Sequence, residues 1–237
     1  MAWCCPTIMR PERLARLAES WERNAPEDVL YVRIWADDPR RADYENIIWP
    51  DNFQLYSSDK KWLGAALNEF YHLHPGEPSY GFIADDIVLR TKGGIRILEE
   101  TAGEWFVAYP NDTIQRERLP THFCIGRKLL ETVGFFIHPF FKHDFIDCVW
   151  HGIGLHTGLL RYCPQVIFEH QHVLNEKAVM DATYEEVNAA KKEGLVMWEK
   201  FVREQLPRVV KRVQAKLINE YERDWEAEDA TLYRSAG

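Results

Sequence analysis

Several features are scarce or missing in this chain of 237 residues, and each absence argues against a class of protein. No apolar run is long enough to cross a bilayer, so we expect no membrane span. Acidic residues outnumber basic ones by 37 to 29, and the formal net charge of -8 argues against strong nonspecific binding to DNA. The five cysteines are odd in number and include no Cys-x-x-Cys pair, which argues against a disulfide framework and a zinc ribbon.

Signals for targeting and for two other enzyme classes are also missing. Residues 1–6 lack a charged region followed by an apolar one, so we expect a cytoplasmic protein. No Gly-rich loop bearing Lys or Arg follows the first apolar run, which disfavours a nucleotidyltransferase. No His-x-x-x-His spacing occurs, which disfavours a hydrolase built on histidine-bound metal. The sequence contains no signal for an oligomeric state.

What is present is enough apolar sequence for a sizeable core, at 46% hydrophobic and 13% aromatic residues. Short apolar runs alternate with segments of helical periodicity through the first half of the chain. This alternation predicts an α/β fold with a doubly wound, mostly parallel sheet and helices on both faces. The predicted strands lie at 2–9, 29–36, 80–88 and 105–109, and the predicted helices follow Pro11, span 60–73 and end near Gly103. A further helix is expected to follow residues 121–126 and run through Val133.

The last part of the chain has the periodicity of amphipathic helices. We expect one helix that carries Trp198 and Phe201, a break at Pro207, and a second helix that carries Val209 and Val213. The predicted organisation is therefore an α/β domain at 1–184, with C-terminal amphipathic helices at 185–237 packed on it.

The stretch around which the chain is organised is the apolar run 80–88, which closes on Asp85 and Asp86. Neighbouring side chains of a strand point to opposite faces, so the two carboxylates can share one site only where the strand ends. Carboxylate oxygens there suit a divalent cation, and the carboxyl end of a parallel strand is where open α/β sheets bind ligands. A solvated turn with a helix cap has the same pattern.

Two other apolar runs also end in polar side chains. The run 29–36 ends in Asp37 and Asp38, where a base or ribose could be bound or the chain could simply turn. The run 165–168 is followed by His170 and His172, which share a face in extended structure and could bind a metal. In a parallel or mixed sheet these ends would converge with the aspartate pair.

Two further positions are candidates for chemistry. Arg10 stands between a strand and a helix N-terminus, where an anion can bind, although an exposed arginine without a role fits equally. If residues 144–151 are helical, His143 and Asp147 lie on one face, and Asp147 could act as a general base. A local His-Asp pair capping the helix is the alternative.

The order and spacing of these motifs resemble the GT-A glycosyltransferases of the family 2 type, and more closely the small glycosyltransferase-like proteins encoded by bacteriophages. The resemblance extends from Pro6 to Phe201. The matching pieces are Pro6-Thr7-x-x-Arg10-Pro11, Ala36-Asp37-Asp38-Pro39, Asn68, Phe82-Ile83-Ala84-Asp85-Asp86, Asn111-Asp112, Leu119-Pro120-Thr121, His143-x-x-x-Asp147-x-x-Trp150, Glu169-His170-x-His172 and Asp181-x-Thr183-Tyr184.

The resemblance implies a nucleotide-sugar donor and a divalent cation, Mn²⁺ or Mg²⁺. The implied donor-binding residues are Arg10, Asp37, Asp38, Asn68 and Asp85. The implied metal ligands are Asp86 and Asp85, completed by His170 or His172. One departure concerns the first loop, where Ile8 and Met9 replace an extra Arg and Gly, which puts a phosphate contact from that loop in doubt.

The mechanism expected from the resemblance is metal-assisted departure of the nucleoside diphosphate, while Asp147 deprotonates an acceptor hydroxyl and the anomeric centre inverts. The relatives in phages suggest a hydroxymethylated pyrimidine in DNA as acceptor, with the aromatic segment 135–145 stacking on a base. Location in the host cytoplasm follows if the chain is phage-encoded. A surface glycan or a protein is the alternative acceptor, and a nucleotide-sugar-binding protein without catalysis is the alternative function.

Overall fold

The computed structural model of the chain describes residues 2–59, 62–177 and 181–235. The strands in this part of the chain are β1 (Ala2–Thr7), β2 (Leu30–Trp35), β3 (Phe53–Ser58), β4 (Ser79–Phe82), β5 (Ile87–Leu89), β6 (Val107–Asn111), β7 (Phe123–Gly126) and β8 (Leu160–His170). The α-helices are α1 (Pro11–Asn24), α2 (Arg41–Glu45), α3 (Leu63–Leu73), α4 (Gly94–Ala102), α5 (Arg127–Val133), α6 (Ile146–Thr157), α7 (Ala182–Lys200) and α8 (Leu206–Ser235).

The strands form a sheet with the order β3-β2-β1-β4-β7-β6-β8-β5. Strands β1 to β4 are parallel neighbours, and β7 is antiparallel to both β4 and β6, so β6 shares the direction of β4. Strand β8 is parallel to β6, whereas β5 is antiparallel to β8. All the strands except β5 and β7 therefore point the same way, which confirms the predicted α/β fold with a mostly parallel sheet. The carboxyl ends of β1, β2, β4, β6 and β8 lie at one edge.

Each face of the sheet is covered by a hydrophobic core. Along β1, Trp3 and Cys5 belong to one core and Ala2 and Cys4 to the other, as the alternation of side chains along a strand requires. Helices α1 and α4 cover the face of Trp3, while α3, α5, α6 and α8 cover the opposite face. The sheet is thus held from both sides, and its carboxyl edge is fixed in space.

Strand β4 can lie against β1 only because position 81 is glycine. A Cβ atom on Gly81 would stand 2.2 Å from Cδ2 of the Trp3 indole, far inside van der Waals contact. Strand β4, which leads to the two aspartates, therefore packs with its Gly81 backbone directly against the Trp3 ring.

The helix expected after residues 121–126 is present as α5, Arg127–Val133, whereas the strand β7 at Phe123–Gly126 was not expected from the sequence. The strand is only four residues long, too short to show an alternating pattern in the sequence. Its antiparallel pairing with β4 stabilises it, and that pairing is a tertiary contact.

The expected helix break at Pro207 is also absent. A π-helical segment, Phe201–Gln205, joins α7 to α8, and the Leu206 N–H donates to the Phe201 carbonyl. Because Pro207 falls in the first turn of α8, its missing N–H is tolerated there. Phe201 is buried, and α8 packs against α5 and α6. Across the described residues, no helix combines the length and apolarity needed to cross a membrane.

Candidate functional site

The site is built around Asp85 and Asp86, which lie in the turn between β4 and β5. Both residues are almost fully buried, with 4% and 5% of their whole-residue surface exposed. The Thr7 hydroxyl, at the end of the neighbouring parallel strand, donates to Asp85 Oδ2 at 2.7 Å. The pair therefore sits past the end of the strand, where both side chains can reach the same edge of the sheet.

Two arginines from the start of α1 face the aspartates. Arg10 Nη1 lies 3.4 Å from Asp85 Oδ1, and Arg13 Nη1 lies 3.6 Å from Asp86 Oδ2. The two arginines are three residues apart, so they project from the same side of the helix start. Both also contact the carboxylate of Asp181, which precedes α7. Arg13 and Asp181 were not singled out as site residues from the sequence.

The two aspartates differ in their affinity for protons. Burial raises the pKa of Asp85 to about 6, with the Asp86 charge adding to the rise and Arg10 opposing it. Burial would also raise the pKa of Asp86, but its hydrogen bond with His170 and the nearby positive charges hold that pKa well below its usual range. Asp86 therefore stays ionised to lower pH than Asp85 does.

His170, the last residue of β8, lies directly against this carboxylate. Its Nε2 is 3.3 Å from Asp86 Oδ1, and its Nδ1 is 4.0 Å from Asp112 Oδ2. Burial alone would lower the pKa of His170, but the interactions with Asp112 and Asp86 outweigh it and raise that pKa to about 9. The His172 ring centroid lies 5.0 Å from that of His170, so the two histidines are brought together as expected.

Below His170 lie two residues that the sequence analysis did not assign to the site. Asp112 follows β6, and its Oδ1 accepts backbone N–H groups of residues 114–116 while Thr121 donates to its Oδ2. His122 packs on the His170 ring at 5.1 Å, and burial lowers the pKa of His122 to about 3. An acid that follows an apolar strand was the available signal for Asp112, whereas a single buried histidine gives none.

At the end of β2 the two predicted aspartates have different surroundings. Asp38 is buried and accepts the N–H of Met9 at 2.7 Å and the N–H of Arg40 at 2.8 Å, so it ties the β1–α1 loop to the β2–α2 loop. Asp37 is exposed at the same edge. Asp38 therefore fixes the β1–α1 loop by accepting the backbone N–H of Met9.

A cavity of about 270 Å³ is lined by residues of β2, α2 and β3 and of the segment between α2 and β3. Its walls include Ile34, Tyr44, Trp49 and Leu55, with polar groups of α2 and the end of β3 at the rim. The Tyr44 hydroxyl accepts the N–H of Arg10 at 3.0 Å. Tyr44 therefore lines the cavity and also contacts Arg10, which faces the aspartate pair.

Asn68 is committed to a different part of the fold. Its amide nitrogen donates to the Ile137 carbonyl at 2.7 Å, and its Oδ1 accepts the N–H groups of Phe136 and Ile137. These contacts join α3 to the segment that leads to α6. Asn68 therefore has a structural role, because its side-chain amide bonds to the backbone of Phe136 and Ile137.

The expectation that His143 and Asp147 share a helix face is wrong. Helix α6 begins at Ile146, and Phe145 before it has a left-handed backbone with φ of 66°, so His143 lies outside the helix. Asp147 stands in the first turn, where its Oδ1 accepts the N–H of Cys148 at 2.8 Å. Burial raises the pKa of Asp147.

The aromatic segment 135–145 packs inside the protein. Phe136 and Phe141 are buried, and the Phe145 ring stacks on Trp198 at a centroid distance of 6.2 Å. Phe136 and Phe141 therefore belong to the hydrophobic core, and Phe145 packs against a residue of α7. They leave the expected stacking on a nucleic-acid base without support.

The residues at this edge suit a divalent cation by their chemistry, because carboxylates and imidazoles are ligands of Mn²⁺ and Mg²⁺ sites. Among the described residues, no three His, Cys, Asp or Glu side chains converge with the spacing of a metal site. Arg10 and Arg13 instead balance part of the negative charge of the pair. Asp86 and His170 are therefore in contact at this edge, while a third ligand does not join them among the described residues.

Comparisons with known proteins give a clear answer for the fold. No family model matches the sequence, and no curated protein matches it. The structure is similar to a mannosyltransferase, PcManGT from Pyrobaculum calidifontis, solved in complex with GDP-Man and Mn²⁺. That match has 12% identity and a TM-score of 0.57, and it covers 98% of this chain and 79% of the other.

Two structures of glucosyl-3-phosphoglycerate synthase from Mycobacterium tuberculosis are also similar. The complex with Mg²⁺ and UDP has 13% identity and a TM-score of 0.52, covering 72% of this chain and 71% of the other. The complex with Mn²⁺, UDP and phosphoglyceric acid has 12% identity and a TM-score of 0.52, covering 76% and 79%. The chain therefore has a GT-A-like glycosyltransferase fold.

Proposed function

We propose that this protein is a metal-dependent glycosyltransferase, which moves a sugar from a nucleotide-sugar donor to a hydroxyl acceptor. The observation that carries the proposal is the convergence of Asp85, Asp86 and His170 at the carboxyl edge of the sheet. The fold supports it, because similar structures contain Mn²⁺ or Mg²⁺ together with GDP-Man or UDP. In this proposal residues 1–184 form the catalytic part and residues 185–237 the helices packed on it.

Asp86 is the proposed principal metal ligand, with Asp85 and a histidine of the pair His170 and His172 completing the site. Asp86 suits this role because it stays ionised, and His170 already lies against its Oδ1. When bound, the cation would supply positive charge for the departing diphosphate.

The nucleoside of the donor is proposed to lie in the cavity beside Tyr44 and Trp49. Apolar walls suit the flat face of a base, and the polar rim can bind its edge. Tyr44 links this cavity to the aspartate site through its bond with the N–H of Arg10. Exposed Asp37 is proposed to contact the ribose.

Asp147 is the proposed general base for the acceptor hydroxyl. A buried carboxylate with a raised pKa is a stronger base than a solvated one, which suits proton abstraction. Attack of the activated hydroxyl on the anomeric carbon, opposite the leaving diphosphate, inverts the configuration. Because α6 begins only at Ile146, His143 lies before the helix, and its Nδ1 is 4.0 Å from Asp144 Oδ1.

The acceptor is proposed only as a hydroxyl compound. The comparisons support neither a bacteriophage origin nor DNA modification, and the rings of 135–145 are used in packing. A glycan or protein hydroxyl is compatible with the site. The proposal therefore leaves out the modified pyrimidine in DNA.

The test is release of nucleoside diphosphate from UDP- and GDP-sugars in the presence of Mn²⁺ and a panel of hydroxyl acceptors. We expect turnover with one nucleotide, and an inverted product by NMR of the anomeric proton. Asp86→Asn should abolish turnover with an unchanged circular dichroism spectrum, and Asp147→Asn should abolish transfer while leaving donor binding intact. A retained configuration would contradict the role of Asp147, and near-normal turnover of Asp86→Asn would contradict the metal site.

A second candidate function is nucleotide-sugar binding without catalysis. It is favoured by the ion pairs of Arg10 and Arg13 with the aspartates, which already balance charge that a cation would balance. Donor binding that is indifferent to Mn²⁺, together with no turnover on any acceptor, would support this candidate over the transferase.

A further inference from the structure

Asp181 lies against the outer edges of two arginines whose other edges face the aspartate pair. Arg10 donates from Nε to Asp181 Oδ2 at 3.0 Å and from Nη2 to Oδ1 at 2.8 Å, a two-point contact. Arg13 Nη2 lies 2.9 Å from the same Oδ2. One carboxylate is thus shared by two guanidinium groups, each held from behind by Asp85 or Asp86.

Two guanidinium groups around one anion form a binding arrangement that suits phosphate as well as carboxylate. A guanidinium presents parallel N–H donors that match two oxygens of either anion, and such charge-assisted pairs are stronger than neutral hydrogen bonds. A diphosphate offers more negative charge and more acceptor oxygens than one carboxylate. It can therefore compete for the same N–H donors.

Exposure indicates which member of the cluster can leave. The side chains of Arg10 and Arg13 are each 11% exposed, those of Asp85 and Asp86 6% and 5%, and that of Asp181 is 31% exposed. Asp181 is the outermost group, and it reaches the arginines from a part of the chain 171 residues away from Arg10. Its removal would uncover the outer N–H edges and leave the inner contacts with the aspartates in place.

We infer that Arg10 and Arg13 form the binding fork for the diphosphate of the donor, and that the Asp181 carboxylate occupies this fork until the diphosphate displaces it. The identity of the anion rests on the proposed function, whereas the fork itself rests on the contacts above. Occupation by Asp181 raises the apparent dissociation constant of the anion, which equals the intrinsic constant divided by the fraction of time that the fork is open. Arg13 becomes a substrate-binding residue, and Asp181 a built-in competitor.

The test is calorimetric titration of inorganic pyrophosphate into the full chain in the presence of EDTA, which removes metal from the comparison. Asp181→Asn keeps the size of the side chain but loses its charge, and we expect it to bind pyrophosphate about tenfold more tightly. Glu185→Gln is the matched control, because it removes one negative charge from an exposed position of α7. That control should leave the affinity within about twofold of the native protein.

Arg13→Gln tests the fork from the other side and should weaken pyrophosphate binding about tenfold in the Asp181→Asn background. Arg16→Gln, one helical turn further on an exposed position of the same helix, is its control. Unchanged or weaker binding by Asp181→Asn would overturn the inference, and so would an Arg13→Gln variant that binds like its control. Circular dichroism verifies that each variant is folded.

The same variants separate this inference from the proposed function. If the Asp181→Asn protein turns over a nucleotide-sugar but binds pyrophosphate and donor with native affinity, the transferase stands and the fork is refuted. If pyrophosphate binding responds as expected while no nucleotide-sugar binds to any variant, the fork stands and the proposed donor is refuted.

Discussion

Glu99 in α4 should make the stability of this protein fall as the pH rises from about 4.5 to neutrality. Its carboxyl is 5% exposed, accepts one hydrogen bond from Trp3 Nε1 at 3.1 Å, and has no partner for Oε2 among the described residues. Burial raises the pKa of Glu99 from 4.5 to about 7, and this rise exceeds the opposing effect of the Trp3 bond. The folded state therefore binds this proton more tightly than the unfolded chain does.

The size and sign of the effect follow from linkage. Below pH 4.5 Glu99 is protonated in both states and costs nothing, whereas above pH 7 it is ionised in both and the folded state bears the full penalty. A change from 4.5 to about 7 corresponds to about 3 kcal/mol. The loss accumulates between these two pH values.

Urea unfolding of the native protein and of Glu99→Gln at a series of pH values measures this penalty. The difference in free energy of unfolding should move in favour of Glu99→Gln by about 3 kcal/mol between pH 4.5 and pH 8. Glu100→Gln, on an exposed neighbouring position, should show no such trend. A difference that stays constant with pH would refute the assignment of a buried, protonated Glu99.

Two further substitutions test the parts of the fold that position the site. Asp38→Ala should lower the free energy of unfolding by about 2 kcal/mol, because the N–H of Met9 loses its acceptor, while Asp37→Ala should change it by less than about 0.5 kcal/mol. Equal effects in urea unfolding would contradict the tie between the two loops. Gly81→Ala should destabilise by about 3 kcal/mol, since its Cβ would enter the Trp3 ring, and an unchanged melting temperature would contradict that close contact.

The strand ends were predictable because several short apolar runs each close on acids or histidines. Parallel runs end at the same edge of the sheet, and the contact of Asp86 with His170 shows that the residues following β4 and ending β8 lie together there. The same rule would have found Asp112 at the end of β6. The end of that strand is harder to recognise from apolar patterning alone, because the following residues 112–118 are mostly polar.

Other parts of the site depend on contacts between distant residues and leave no local pattern. The pairing of Arg10 with Asp181 joins residues 171 positions apart. The start of α6 depends on the left-handed backbone of Phe145, a conformation that a bulky side chain rarely adopts and that sequence periodicity cannot reveal. Pro207 follows a π-helical segment in which Phe201 is buried against residues distant in sequence.

The measurement that tests the proposed function most directly is thermal stability with Mn²⁺ and a panel of UDP-, GDP-, CMP- and dTDP-sugars. A donor present at about 100 times its dissociation constant stabilises the folded state by about 2.7 kcal/mol. We expect a rise in melting temperature that needs both Mn²⁺ and one particular nucleotide, and that is lost in Asp86→Asn. No rise with any combination, or a rise that survives in Asp86→Asn, would contradict a metal-dependent donor site at this aspartate pair.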